Sequence, residues 1–444
     1  MGTPPAKAGC VPPPDARRRW GRCARPAWIA PLRPGNADAY CPPMTPRALF
    51  ALHDFRLFFL TRFLSAIAQQ MVAVAVGWQV YDLTGDPLHL GYVGLAQFLP
   101  AFLLALPGGQ VADRFDRRVI LVTGLALVAA SVTGLLLLAL SGHPSLGAIY
   151  ALLAVTGATR AFLAPASQSL LPLLVPPEAF PRAVAWNSTS WQVAVVAGPA
   201  LGGGLYVLGI SAVYGVAAAA LVASAAAAAR LARPLKVHMP AEPGLEGLLA
   251  GVRYVFQRKD ILGAVSLDLF AVLLGGATAL LPVFARDILH VGPVGLGVLR
   301  AAPAAGAAVM AVVLAHRPLE SRAGLKLFAA VAVFGVATIV FALSTSFWLS
   351  LAALVVLGGA DMVSVIVRQT LVQIRTPDAM RGRVSAVNWV FIGASNELGE
   401  FESGITAAWF GTVPAVVIGG VGTLAVAGLW AWMFPALRKT DRLA

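Results

Sequence analysis

The chain has 444 residues, of which 58% are apolar and only 12% are charged, and its mean hydropathy is +0.78. Because soluble domains carry about 25% charged residues, this composition excludes an ordinary soluble globular protein. The formal net charge of +13 comes from scattered Lys and Arg without an RNA or DNA motif, so it predicts lipid-facing anchors rather than nucleic-acid binding.

Residues 1–43 differ in kind from the rest of the chain. They hold ten prolines and all three cysteines, Cys10, Cys23 and Cys41. The stretch lacks the apolar central run of a signal peptide, and cysteines 13 and 18 residues apart do not have the spacing of a zinc site. We expect a disordered, basic, Pro-rich tail that binds no metal, with Met44 as the native start.

Twelve apolar stretches follow, each near the length of about 20 residues that crosses the hydrocarbon core of a membrane as a helix. They are predicted at 57–81, 89–110, 119–141, 146–171, 187–208, 211–231, 262–284, 292–315, 325–344, 347–372, 388–410 and 413–434. Six spans fall in each half of the chain. The sequence therefore predicts an all-α membrane protein with twelve transmembrane helices.

The basic loop residues predict on which side of the membrane each loop lies, because Lys and Arg are retained in the cytoplasm. Cations follow spans two, six and eight and fill the C-terminal tail: Arg114, Arg117, Arg118, Arg230, Arg233, Lys236, Arg253, Arg258, Lys259, Arg317, Arg322, Lys326, Arg438, Lys439 and Arg442. The short loops on the opposite side carry one basic residue, Arg286, beside Asp82, Asp86 and Asp287. We expect a multi-pass protein of the inner membrane with both termini in the cytoplasm.

Residues 233–260 form the longest polar interruption after the tail, with Pro234, Pro240 and Pro243 and an amphipathic stretch at about 245–258. We expect a cytoplasmic linker containing an interfacial helix. It divides the chain into six-helix bodies at 44–232 and 261–436, and a basic tail follows at 437–444.

The two halves repeat each other at an offset of 201 positions. GYVGL at Gly91 returns as GPVGL at Gly292 (292 − 91 = 201), and further matches follow without a gap: Gly157 with Gly358, Gln168 with Gln369, Pro176 with Pro377, Arg182 with Arg383 and Asn187 with Asn388. A duplicated membrane protein points to a transporter, because paired halves can rock about a site between them.

The loop after span two reads GGQVADRFDRR, with Gly109, Asp113, Arg114, Arg117 and Arg118. Here the sequence resembles the major facilitator superfamily, whose loop carries Gly-x-x-x-Asp-Arg-x-Gly-Arg-Arg; Asp116 stands where glycine is usual. The resemblance implies two pseudo-symmetric six-helix bundles and a gate that closes the cytoplasmic face. Glycine at 109 is expected to let two helices approach closely, Asp113 to meet the positive end of a neighbouring helix, and the arginines to form a charge clamp or a topology anchor.

Span five contains GPALGG, with Gly198, Pro199, Gly202 and Gly203. It resembles the end of the superfamily's antiporter motif, which implies export driven by proton entry; close helix packing alone would also explain it. Segments beginning at Arg160, Ser266 and Ala360 resemble the efflux branch that includes the enterobactin exporter, and this likeness covers nearly all of 44–440.

Charged side chains inside the spans carry the site prediction, because such groups are costly in a membrane. Arg160 and Asp361 are repeat mates (361 − 160 = 201), which predicts a pair across the cavity. Asp361 would carry a proton, and Arg160 would modulate it or bind an anionic substrate; the alternative is a static bridge. Span eleven adds Glu397, Glu400 and Glu402 for proton relay or cation recognition, or for bridging to Arg300 or Arg368. The candidates for coupling or substrate contact are Arg160, Asp268, Asp361, Arg368, Glu397, Glu400, Gln69, Trp78 and Asn388.

The sequence lacks the signature motifs of other classes of membrane protein. The sequence has no nucleophile elbow, zinc-protease helix or phosphate loop, so an intramembrane enzyme and a nucleotide-driven pump are excluded. We expect a secondary transporter that exports a small siderophore-like or drug-like molecule by alternating access, coupled to protons. Uptake, facilitated transport of a metabolite, or a channel are the alternatives. No cofactor or metal is expected, and the partners are substrate, protons and lipids, with the chain acting as a monomer.

Overall fold

A computed structural model describes residues 46–232, 252–317 and 322–441, and in these ranges it contains only helices and their connections. The predicted tail at 1–43 lies outside the described residues. So does most of the predicted linker: residues 252–257 are helical, whereas 233–251 are not described.

Twelve long helices follow one another in the described ranges. They are α1 (His53–Thr84), α2 (Pro87–Leu103), α3 (Arg117–Leu140), α4 (Leu146–Leu174), α5 (Phe180–Leu205), α6 (Ile210–Ala229), α7 (Lys259–Leu274), α8 (Gly292–His316), α9 (Ala323–Leu343), α10 (Phe347–Arg375), α11 (Asp378–Phe410) and α12 (Thr412–Met433). Short helices lie at Pro46–Ala51, Ala105–Arg114, Leu281–Val283 and Pro435–Arg438.

Ten of the described helices are long and apolar enough to cross a membrane. The two predicted spans that do not reach this standard are 89–110 and 388–410. The first is interrupted at Leu104, so α2 has 17 residues and a separate helix, Ala105–Arg114, follows it. The second is α11, whose apolar run is broken by glutamates. The predicted seventh span is also irregular, because α7 ends at Leu274 and continues through short turns into a π-helix at Phe284–Ile288.

Aspartates start two helices of the N-terminal half. The Asp86 side chain accepts a hydrogen bond from the Leu88 amide (2.9 Å) at the start of α2, and Asp116 accepts one from the Arg118 amide (2.9 Å) at the start of α3. Both are N-caps that satisfy amides left free at a helix start. Asp116 has a φ of −62°, so this turn needs no glycine, which explains the departure from the superfamily motif.

The helix pairs of the two halves follow one pattern. In the N-terminal half α1 packs against α5 and α6, α3 against α4 and α6, and α2 against α4. In the C-terminal half α7 packs against α11 and α12, α9 against α10 and α12, and α8 against α10. Adding six to each helix number of the first set gives the second. The halves meet along two seams, defined here as the α5–α8 and α2–α11 contacts.

Glycine closes each seam. A side chain at Gly203 of α5 would meet the Gly297 Cα of α8 at 3.0 Å, and one at Gly404 of α11 would meet the Gly91 Cα of α2 at 2.8 Å. Such backbone contacts leave no room for a Cβ atom, which is the usual way in which membrane helices approach closely.

The chain end packs against α9. The Ala323 and Gly324 amides donate to the carbonyl oxygens of Asp441 (3.1 Å) and Thr440 (2.9 Å), and Leu437 is fully buried. The first part of the predicted basic tail, up to residue 441, is therefore tied to the C-terminal half.

Candidate functional site

A cavity of about 80 Å³ lies between the two halves; we call it the central cavity. Its walls come from the middle of α1, α2, α3 and α4 and from the C-terminal half. Most of the lining is apolar, and the polar side chains in it are Gln69, Gln97, Thr156, Arg300 and Glu400. Of the predicted contact residues, Gln69 and Glu400 line the cavity, whereas Gln97, Thr156 and Arg300 were not among the candidates.

An ion pair joins the halves beside this cavity. The Arg160 Nη1 atom of α4 lies 3.0 Å from the Glu397 Oε1 atom of α11. The prediction that Arg160 meets Asp361 is therefore wrong. Helix α4 packs against α2 and α3, and α10 packs against α8 and α9, so the repeat mates are not neighbours; α2 instead contacts both α4 and α11. The alternative prediction had the span-eleven glutamates bridging to Arg300 or Arg368. Glu397 instead bridges to Arg160.

Glu400 lies one helical turn beyond Glu397 and faces the cavity. A side chain at Gly94 of α2 would come within 3.0 Å of the Glu400 Oε2 atom, so the glycine makes room for the carboxylate. Two cationic groups act electrostatically on Glu400, Arg300 more strongly than Arg160. Glu402 points away from this group, since it accepts a hydrogen bond from Thr406 of its own helix (2.8 Å).

A second group of charges lies inside the C-terminal half. The Arg368 Nη1 atom of α10 is 2.5 Å from the Asp268 Oδ2 atom of α7, and both side chains are buried. Asp361 precedes Arg368 by seven residues, about two helical turns, so the two share a face of α10. The charges that act on Asp361 are those of Asp268 and Arg368. We call these three residues the α7–α10 cluster.

The other predicted contact residues lie away from the cavity. Trp78 packs edge-on against Tyr206, with ring centroids 6.3 Å apart. Asn388 is buried, and its Oδ1 atom has no hydrogen-bond partner in the described ranges; the same is true of Oδ1 in its repeat mate Asn187.

In the predicted cytoplasmic motif, the glycine that lets two helices approach closely is Gly108, not Gly109 as expected. A side chain at Gly109 would meet nothing within 4 Å, whereas one at Gly108 would clash with the Ala161 carbonyl oxygen of α4. The role expected of Gly109 therefore belongs to Gly108. Arg118 donates a hydrogen bond to the Ala229 carbonyl oxygen at the end of α6. The side chain of Asp113 lies outside the described residues.

The GPALGG segment packs closely, as expected. Its first glycine, Gly198, faces the Gln70 side chain of α1, and a Cβ atom at Gly202 would lie 3.0 Å from the Met71 Cα atom. The Pro199 carbonyl oxygen contacts Gly297 of α8. This segment thus holds α5 against both α1 and α8.

At one end of the molecule the halves are joined by a polar group that sequence reasoning missed. Tyr81 donates a hydrogen bond to Asp287, and Arg286 forms an ion pair with Asp82 (3.2 Å) and donates to the Tyr81 carbonyl oxygen (3.2 Å). The π-helix at Phe284–Ile288 presents Arg286 and Asp287 together. We call these four residues the latch. The one signal in the sequence is Arg286, the single basic residue of the short loops, which charge patterning by itself uses only to orient the chain in the membrane.

No group of three or more metal-ligating side chains occurs within the ranges that the structure describes. The chemistry that the described residues of the site do show is that of charges at the contact between the two halves. A helical, multi-pass body with a cavity between related halves, lined by a few polar and charged side chains, defines a membrane transporter rather than an enzyme.

The comparisons with known proteins give the family. The profile of the transmembrane secretion effector family matches residues 44–444, and the chain belongs to this family of major facilitator transporters. The enterobactin exporter EntS of Citrobacter koseri is 28% identical over 87% of this chain and 92% of its own. EntS of Shigella boydii is 27% identical over 83% and 85%.

Solved structures share the fold. The nucleoside transporter NupG superimposes with a TM-score of 0.61 at 15% identity, covering 87% of this chain and 99% of its own. A bacterial homologue of the human lysosomal transporter Spinster, in an inward-facing and unoccupied conformation, gives 0.66 at 15% over 86% and 95%. A bacterial homologue of the iron transporter ferroportin, in an inward-facing state, gives 0.64 at 16% over 87% and 99%.

Proposed function

We propose that the chain is a secondary active transporter of the inner membrane that exports a small molecule by alternating access, driven by proton entry. Its body would consist of twelve spans in two six-helix bundles, at 44–232 and 261–436, and it would act as a monomer with both termini in the cytoplasm. One observation carries the proposal: the central cavity is lined by both halves, and the Arg160–Glu397 ion pair crosses between them.

Alternating access is supported by the unequal ends of the molecule. The latch ties α1 to the π-helix across the halves, whereas Arg118 of the predicted cytoplasmic motif bonds within its own half. We assign the latch to the outer face, because the loops around it carry one cation. The cavity of about 80 Å³ is smaller than the roughly 300–1,000 Å³ of typical ligand pockets, so substrate entry would require the halves to separate.

Proton coupling is assigned to the α7–α10 cluster. Asp268 and Asp361 are two carboxylates beside the single guanidinium of Arg368. One positive charge can neutralise only one of them, so the second carboxylate is the natural place for a proton. Asp361 has no ion pair in the described part of the chain, which makes it the proton carrier; Arg368 holds Asp268 in place.

The proposed direction of transport, export, is supported by the relatives. The two EntS proteins, which match over 92% and 85% of their own length, are named as exporters of enterobactin, and siderophore-like or drug-like molecules are therefore the first compounds to test. The antiporter-like packing of Gly198, Gly202 and Gly203 supports the same direction. Uptake or facilitated transport of a metabolite is the alternative.

The test uses inverted vesicles with a pH-sensitive dye inside and a panel of siderophore-like and drug-like compounds outside. Addition of an exported compound should release protons from wild-type vesicles, and Asp361→Asn should abolish that signal. Asp441→Asn is the matched control, because this aspartate lies at the chain end and the amide oxygen can still accept the Arg322 amide hydrogen bond (2.9 Å). Unchanged proton movement in Asp361→Asn would overturn the coupling assignment, and compound-driven flux without any proton movement would overturn proton coupling itself.

A further inference from the structure

The central cavity is lined by two charged side chains of opposite sign, which act on each other electrostatically without forming an ion pair in the described part of the chain. Arg300 of α8 and Glu400 of α11 both line it, and within the described ranges neither is part of an ion pair. The adjacent Arg160 and Glu397, by contrast, satisfy each other at 3.0 Å. Unpaired charges at membrane depth are costly, and they normally mark a pathway or a ligand contact.

The internal repeat indicates that packing does not require these charges. The mate of Glu400 is Pro199 (400 − 201 = 199), which is buried in the other seam with its carbonyl oxygen against Gly297. The mate of Arg300 is Leu99 (300 − 201 = 99). Pro199 lies on α5 and Leu99 on α2, so at this register each seam has an apolar residue from the N-terminal half and a charged residue from the C-terminal half. The charges add a function that the seam itself does not need.

The two charges reach the cavity from different places. Arg300 belongs to α8, which forms one seam with α5, and Glu400 belongs to α11, which forms the other seam with α2. Gly94 leaves the space that the Glu400 carboxylate occupies. Most of the remaining wall is apolar, with Val72, Val76 and Leu135 among its residues. A ligand that satisfies both charges must carry its own charges on separate groups.

We infer that the central cavity recognises a small amphipathic zwitterion, with its anionic group on Arg300, its cationic group on Glu400 and its apolar body against the valine and leucine wall. The amides of Gln69 and Gln97 supply neutral hydrogen bonds at the same site. This inference rests on the proposed transport function and names its substrate class.

Four compounds with one benzyl group test the charge requirement: phenylalanine (zwitterion), its methyl ester (cation), N-acetylphenylalanine (anion) and N-acetylphenylalanine methyl ester (neutral). Binding is measured by thermal shift of the purified protein, and flux is measured in proteoliposomes with an imposed pH gradient. The wild-type protein should bind the zwitterion roughly tenfold or more tightly than the other three, because each charge-assisted contact contributes about that factor.

The variants assign each charge to one residue. Arg300→Gln should remove the preference for the free carboxylate, so that phenylalanine and its methyl ester bind alike. Glu400→Gln should remove the preference for the free amine, so that phenylalanine and its N-acetyl derivative bind alike. Arg300→Lys keeps the charge and should keep the preference, which guards against a folding defect in the neutral variant. The exposed residues Arg253 and Glu178 provide the matched controls Arg253→Gln and Glu178→Gln.

Equal binding of all four compounds by the wild-type protein would overturn the inference, as would an equal loss for all four in both neutral variants. Zwitterion binding without gradient-driven flux would contradict the proposed transport function and leave the substrate class in place. Gradient-driven flux of all four compounds at one rate would support transport and overturn the substrate class.

Discussion

Gly203 and Gly404 stand 201 positions apart (404 − 203 = 201) and close the two seams in the same way, each with its Cα hydrogens against a glycine of the other half. Gly203 faces Gly297 and Gly404 faces Gly91. In the proposed alternating-access cycle, the two seams are the surfaces that slide or part when substrate passes. Their glycines therefore affect both stability and movement.

Substitution at Gly404 should weaken the protein. In Gly404→Ala the new Cβ atom would lie 2.8 Å from the Gly91 Cα atom, and neither backbone can move without shifting its helix. We expect a loss of about 1–3 kcal/mol in the free energy of unfolding, as for other overpacked cores, and slower transport. Thermal unfolding in detergent and vesicle flux measure the two effects.

Gly428→Ala is the control for this substitution. A Cβ atom at Gly428 of α12 would meet nothing within 4 Å, and alanine favours a helix over glycine by about 0.5–1 kcal/mol. This variant should unfold at the wild-type temperature or slightly above it. Equal behaviour of the two alanine variants would show that the α2–α11 seam is not closed by Gly404.

The neighbouring glycines of the cytoplasmic motif should respond differently to the same change. Gly108→Ala places a methyl group against the Ala161 carbonyl oxygen of α4, whereas Gly109→Ala places it in open space. We expect Gly108→Ala to lower the unfolding temperature and Gly109→Ala to leave it unchanged. If the Gly109 variant were the destabilised one, the contact assigned to Gly108 would be wrong.

Removing one charge of the buried Asp268–Arg368 pair should destabilise the protein more than removing both charges. Asp268→Asn leaves the Arg368 guanidinium without its partner in a buried position, which typically costs about 3–5 kcal/mol. The double variant Asp268→Leu with Arg368→Met removes both charges and should recover most of that stability. Thermal unfolding compares the two variants.

Transport by the double variant separates folding from coupling. Because the charges of Arg368 and Asp268 act on the proposed proton carrier Asp361, the stable double variant should bind compounds but fail to move protons. Normal proton movement in that variant would show that the pair serves stability alone.

The latch should control access from its own end of the molecule. Tyr81→Phe removes the hydrogen bond to Asp287, and Arg286→Gln removes the ion pair with Asp82, so the double variant should open that end more often. Because no cysteine follows residue 43, a cysteine introduced at Val76, which lines the cavity, would be the single thiol of a protein starting at Met44. We expect severalfold faster labelling of this cysteine by an impermeant thiol reagent added from the latch side.

The control for the latch is Tyr206→Phe, which keeps the aromatic contact with Trp78 and removes none of the hydrogen bonds and ion pairs of the latch. Its labelling rate should equal that of the protein with the cysteine alone. Labelling that is unchanged in the double variant, or faster only from the opposite side, would remove the latch from the gating mechanism.

The sequence by itself determined the helices of this protein. The length of each apolar stretch and the 201-residue repeat can be read along the chain without knowing how its segments pack. The predicted spans agree with the described helices except at three places: α2 ends early at Leu104, α7 becomes irregular beyond Leu274, and α11 begins at Asp378, ten residues before the predicted span. The repeat also implied that the two halves pair their helices alike, and the contacts follow that pattern. The efflux family was within reach of the sequence for the same reason, since its motifs lie on single segments.

Tertiary structure alone decided which charges meet. The repeat led to Arg160 opposite Asp361, but residues related by a pseudo-two-fold axis are neighbours only if they lie close to that axis. Arg160 instead reaches Glu397, because α2 lies against both α4 and α11, and Asp361 joins Asp268 and Arg368. Which side chain faces which depends on the rotation of each helix about its own axis, and that rotation is set by the packing of all its neighbours.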